Sequence, residues 1–246
     1  MGFYDVLHIP QPCLVDKTVA KKLFTEAGDL SKVDKTLLSE AVEKITWKYC
    51  LKNELIPIQP YADEARDYPE MEVLEVSLTV EKGLRRLAEI VMRAIPYPML
   101  LVFRLGEQVQ VWMAHQRLSL ADREKVTLEE FVSTPWQPED SPFWAALDIR
   151  ELRFTNFFDF YTDWVDRLSV QNAQEKMQVP EDLTGEEARQ LLAQREQVEK
   201  EIAALRVELK KETQFSRKVE LNMRIKKLEK LKDGIIWNSI GKVIRG

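Results

Sequence analysis

Six carboxylates crowd one short stretch: Asp63, Glu64, Asp67, Glu70, Glu72 and Glu75. Paired carboxylates beside a strand can hold Mg²⁺ for phosphodiester cleavage. Asp63, Asp67, Glu72 and Glu75 are therefore the candidate ligands of a metal-dependent nuclease. That chemistry is best served by Glu-x-Lys on the strand, with the lysine supporting the attacking water. Here the strand reads Glu72-Val73-Leu74-Glu75-Val76-Ser77 and carries no lysine. The competing reading is a solvated acidic loop.

Other catalytic chemistry is poorly supplied. His8 and His115 are the only histidines, so any histidine-assisted nucleophile must use one of them. His115 lies in Ala114-His115-Gln116-Arg117, where it could meet an anion or simply be a half-exposed polar residue. His8, between Leu7 and Ile9, reads as packing. Cys13 and Cys50 are the only cysteines, and neither C-x-x-C nor H-x-x-H spacing preorganises a zinc site. No Gly-rich phosphate loop is present among only 8 glycines. No cofactor is expected. Whether the chain is an enzyme stays open, with the weight against it.

The second chemical feature is cationic. From Arg189 onward there are 15 Lys/Arg against 8 Asp/Glu, whereas residues 1–188 hold 21 against 33. Lys210, Arg217 and Arg224 repeat every seven residues, as do Lys211 and Lys218. On one helix each set follows one face. Such a stripe can contact nucleic-acid phosphates without reading bases. It can equally pair with an acidic partner protein, or merely be solvated. The expected partners are thus a protein, a second copy through the C-terminal helices, or a DNA or RNA backbone.

The elements that must position these residues follow from periodicity. Asp16 is expected to cap a first helix through Val19, Leu23 and Phe24 that ends at Gly28; Ser31 or Asp34 would cap a second. Ile45, Trp47, Tyr49 and Leu51 alternate as one face of a strand. Leu74, Val76, Leu78 and Val80 form one face of the next. A helix over Lys82–Ala94 crosses to the apolar run Met99–Phe103, a parallel pairing. Gly106-Glu107 is a hairpin turn into Val109, Val111 and Met113. Residues 119–140 read as a polar connection. Ser141-Pro142 opens a short helix, and Asn156 caps an aromatic-rich one.

From Glu186 to Asp233 there is neither Gly nor Pro. Leu191, Val198, Ile202, Leu205 and Leu209 make one apolar seam; Leu221, Ile225, Leu228 and Ile235 make a second, out of phase with it. The chain must turn near Lys211–Ser216 or change its contact face; a hairpin is favoured, with a two-chain coiled coil as the other solution. The fold class expected is α+β: a small mixed sheet of about four strands with flanking helices, then a long C-terminal helical arm, coiled coil or hairpin. The domains expected are residues 1–140 for the sheet, 141–178 for a helical extension and 183–236 for the basic arm. With no run near the roughly 20 apolar residues that span a bilayer and no secretory pattern at the N-terminus, a cytoplasmic chain without membrane contact is expected.

Several phrases together resemble a known family: IPQPCLVDKTVAKKLF, VEKITWKYCLKNELIPIQPYADEARDYPEMEVLEVSL, IVMRAIPYPMLLVF and KETQFSRKVELNMRIKKL. They are similar to a bacterial family known as domain of unknown function 4391, over nearly the whole chain. Leu55-Ile56-Pro57 departs from the family's usual Thr-Ile-Asn after the first strand. The family carries no established activity. The resemblance implies a setting beside helicases and DNA methyltransferases in restriction-like loci. Taken with the stripe, it implies a non-catalytic accessory subunit of a nucleic-acid-processing or phage-defence system, with the metal-dependent nuclease as the alternative.

Overall fold

The computed structural model describes residues 2–26, 30–119, 126–177, 179–180 and 182–243, with side chains through Asp233. Gly28, and the side chain of Ile235 in the second seam, lie outside the described residues. The chain divides into two compact units, Met1–Leu168 and Ser169–Gly246.

The first unit is organised around a seven-stranded sheet. In chain order its strands are β1 (Leu14–Val19), β2 (Val42–Lys52), β5 (Glu70–Leu78), β6 (Met99–Leu105), β7 (Gln108–Leu118), β8 (Val126–Ser133) and β9 (Gln137–Pro138). They lie in the order β1-β2-β5-β6-β7-β8, with β9 also paired to β7. A separate two-stranded ribbon joins β3 (Tyr61–Ala62) to β4 (Asp67–Tyr68). Among the described strands only β5 and β6 pair in parallel. The helix between them, α4 (Leu84–Ala94), supplies the crossover that a parallel pair requires. Between β6 and β7 the turn is Gly106-Glu107, and Gly106 has φ of +60°, a conformation that glycine adopts without strain.

Both faces of the sheet are covered. One face packs Met71, Val73, Leu100, Val102 and Val111 against α1 (Phe3–Leu7), two 3₁₀ turns (Pro142–Leu147 and Ile149–Glu151) and the first part of α5 (Phe157–Lys176). The other packs Leu74, Val76, Leu101 and Phe103 against α2 (Lys21–Glu26), α3 (Lys32–Ala41) and α4. A sheet buried on both sides explains the continuous apolar run of β6. Burial of each large side chain here contributes about 1.5–3 kcal/mol.

Caps fix the helices. Ser31 is the N-cap of α3: its Oγ accepts from the Asp34 amide, and the Asp34 carboxylate accepts from the Ser31 amide. Arg86 of α4 then donates to both Asp34 oxygens, at 2.7 and 2.9 Å, tying the two helices together. Asn156 accepts from the Asp159 amide and starts α5.

The second unit holds the end of α5 together with α6 (Gly185–Lys211) and α7 (Phe215–Val243). Ala173, Met177, Ala188 and Leu191 form one apolar cluster; Ile202, Leu205, Leu221 and Ile225 form another. Glu208 approaches Arg217, and Glu201 approaches Arg224, so α6 and α7 run antiparallel.

The expected small sheet of about four strands followed by a long coiled-coil arm is therefore overturned, while the favoured turn near Lys211–Ser216 is seen between α6 and α7. The sheet has seven strands, and the C-terminal helices belong to a compact helical unit beginning at Ser169. Of the residues expected to form a helix capped by Asp16, those through Val19 are instead edge strand β1, while Leu23 and Phe24 do lie in a helix, α2. Thr18 and Val19 are β-branched and pair with Thr46 and Ile45. Asp16, at φ +45°, marks the register shift in that pairing. Part of the expected polar connection is β8, whose Leu128 and Phe131 pack on the second face.

Candidate functional site

The four candidate nuclease carboxylates do not converge. Asp63 caps the β3–β4 turn, accepting from the amides of Ala65 and Arg66 and from the Tyr61 hydroxyl. Those donors hold its carboxyl below the usual carboxylate range, the Tyr61 hydroxyl foremost. Asp67 is exposed in β4, paired with Ala62. Glu72 and Glu75 are three residues apart on a strand, so they point to opposite faces. Glu75 accepts from the Tyr4 hydroxyl at 2.8 Å and from Arg104 Nε at 3.0 Å, and Arg104 also reaches Glu139. This is a satisfied structural network.

Glu72 keeps different company. It lies directly across from Cys50 on β2, and Glu70 lies across from Lys52. Donor atoms of Cys50, Glu70 and Glu72 fall within 4.8 Å of one another. Glu72 is 2% exposed and Cys50 7%. The indole N–H of Trp47 donates to one Glu72 oxygen. Burial pushes the Glu72 carboxyl up to about 7. Burial, reinforced by the two carboxylates, pushes the Cys50 thiol up to about 12. Sequence reasoning missed this grouping. The residues were visible, but their register depends on a bulge that periodicity does not show.

Both histidines are held by neighbouring groups. The Tyr68 hydroxyl lies 3.1 Å from His115 Nδ1, and the His115 ring packs on Tyr161 and Phe158. His8 caps α1 in a left-handed conformation, its Nδ1 near the Val6 carbonyl and Asp148.

The cationic residues are divided by a turn. Lys210 and Lys211 are exposed in the last turn of α6, where cations complement the helix dipole. Arg217 and Lys218 begin α7, and Arg224 follows. Because Glu212–Gln214 interrupts the helices, the seven-residue repeat does not trace one continuous face. Arg217 loosely pairs with Glu208 and Glu212, and Arg224 with Glu201, at 3.7–3.9 Å. Lys218 is half-buried.

The outer surface of α7 carries what the charge count did not reveal. Phe215 is 81% exposed, Met223 67% and Val219 43%. Spaced four apart, they form a row on the side away from Leu221 and Ile225, which pack on α6. Lys226 and Lys227 follow one turn after Met223, and Lys230 one turn later; all three are exposed. The spacing of Phe215, Val219 and Met223 was the available signal, hidden because the inner seam accounts for helical periodicity by itself.

Among the described residues no helix is long and apolar enough to cross a membrane. A family model described as "Domain of unknown function (DUF4391)" matches residues 7–231. No curated protein matches the chain. No solved structure matches it.

Proposed function

The chain belongs to the DUF4391 family, and from that premise we propose that it is a non-catalytic accessory subunit whose α7 outer face docks an acidic partner protein. The observation carrying this reading is the row Phe215, Val219 and Met223, left open to solvent beside Lys226, Lys227 and Lys230. Contiguous exposed apolar groups rimmed by charge favour a protein partner. Two α7 outer faces packed in parallel would oppose lysine with lysine, and an acidic partner meets the same lysines with opposite charge, which is the occupant proposed. The system it serves is, in this proposal, bacterial nucleic-acid processing or phage defence, the restriction-like setting implied by the family resemblance. Lys210, Lys211, Arg217, Lys218 and Arg224 add long-range attraction around the α6–α7 turn.

Nucleic acid is the other polyanion that a basic surface attracts, and salt dependence separates the two. Duplex DNA binding by the full chain, followed by fluorescence anisotropy, is expected to be weak. Changing those five residues to Gln is expected to leave it weak. Tight binding with a steep salt slope, lost in the five-residue variant, would turn the reading to phosphate contact.

A further inference from the structure

We infer that Cys50, Glu70 and Glu72 form a binding site for a thiophilic divalent cation, Zn²⁺ in particular. The three donors come from two neighbouring strands in register: Cys50 faces Glu72, and Glu70 stands two residues before Glu72 on the same side of β5. Their ligand atoms already lie within 4.8 Å of one another. Zinc bonds to sulfur at about 2.3 Å and to carboxylate oxygen at about 2.0–2.2 Å, so a shared ion needs its donors roughly 3.5 Å apart.

The donor chemistry selects the ion. Two carboxylates alone would suit Mg²⁺ or Ca²⁺, but a thiolate beside them favours a softer metal. Three protein ligands with a fourth position open is the pattern of a reactive zinc site rather than a closed structural one. Trp47 donates to one oxygen of Glu72 and orients that carboxylate, as the outer partners of metal ligands do. The Glu72 amide bonds to the Pro98 carbonyl and fixes the strand at this point. Lys52, across from Glu70 on β2, is the lysine whose charge acts on Cys50, and it is outweighed there by burial and the two carboxylates. Glu70 is half-buried, the most exposed of the three donors. When the Zn–S bond forms, the Cys50 thiol releases its proton to solvent.

The test uses reduced, chelator-stripped full-length protein, titrated with Zn²⁺ against a chromophoric chelator and separately with Co²⁺. One equivalent is expected to bind, and Co²⁺ is expected to give a thiolate charge-transfer absorption. Cys50→Ser should abolish that absorption, and Cys50→Ser, Glu70→Gln and Glu72→Gln should each weaken Zn²⁺ binding by at least about tenfold. Glu75→Gln, on the opposite face, should leave both unchanged. Circular dichroism identifies any variant that fails to fold, and half-buried Glu70 is the position least exposed to that failure. Absence of stoichiometric Zn²⁺ binding, or binding indifferent to Cys50→Ser and Glu70→Gln in folded protein, would overturn the assignment.

Discussion

Trp47 and Tyr49 stand two residues apart on β2 yet pack into different hydrophobic cores, Trp47 on the α4 side and Tyr49 on the α5 side. The cause is Lys48. Trp47 pairs with Leu74 and Tyr49 with Val73, so β2 spends one more residue than β5 between those pairs. Such a bulge re-aims every side chain beyond it. It places Leu51 on the α5 side and turns Cys50 towards Glu72.

Deleting Lys48 should therefore cost little more than truncating it. Lys48→Ala removes an ion pair with Asp16 and a cation–π contact over Tyr4, worth together on the order of 1 kcal/mol at a partly exposed site. Deletion removes the extra residue and leaves Tyr49 opposite Val73 and Leu51 opposite Met71 in unbroken alternation, on the faces they already occupy, so the variant should still unfold cooperatively. A deletion variant that no longer unfolds cooperatively would show that the pairing on either side of Lys48 does not hold the register by itself.

The hydroxyl of Tyr161 is fully buried. It accepts from the Ala114 amide and lies 3.0 Å from the carbonyls of Met99 and Ala114. Tyr161→Phe leaves those backbone groups short of a partner with no path to water. Denaturant unfolding should register a loss of about 1–3 kcal/mol. A loss below about 0.5 kcal/mol would mean that the backbone finds other partners.

Much of this frame was legible from residue order, and the failures share a cause. Period two located β2 and β5, the apolar run located β6, and Gly106-Glu107 located its turn into β7, because each pattern answers to local geometry. Edge strand β1 and the polar strand β8 were not legible. Their pairing is decided by neighbours distant in sequence, and half of Leu14–Val19 is polar. The candidate residues were legible as types but not as groups. Glu72 and Glu75 look like partners in the chain, yet strand alternation separates them, while the bulge at Lys48 brings Cys50 to Glu72.

Asp34 provides a pH prediction. Arg86, then Ser31, hold its carboxyl well below the usual carboxylate range. A depressed folded-state value means that the stabilisation is complete above the unfolded value of about 3.9 and is lost as pH falls through and below it. Wild type should exceed Asp34→Asn in urea midpoint at pH 6, and the gap should narrow steadily towards pH 3. A gap independent of pH would remove the charged pair from the account and leave only the hydrogen-bonded cap.

The outer face of α7 carries the central claim, and one binding measurement addresses it. Proteins encoded beside this chain would be titrated calorimetrically with the full-length wild type and with Phe215→Ser/Met223→Ser, at low and moderate salt. These two side chains leave the inner seam untouched, so the variant should keep its helical circular dichroism. The account predicts that an acidic neighbour binds wild type and loses at least about tenfold in affinity to the double variant, the cost of removing two apolar anchors. It also predicts that salt weakens both proteins in parallel, because the lysines remain. An acidic neighbour that binds both proteins equally would contradict the claim.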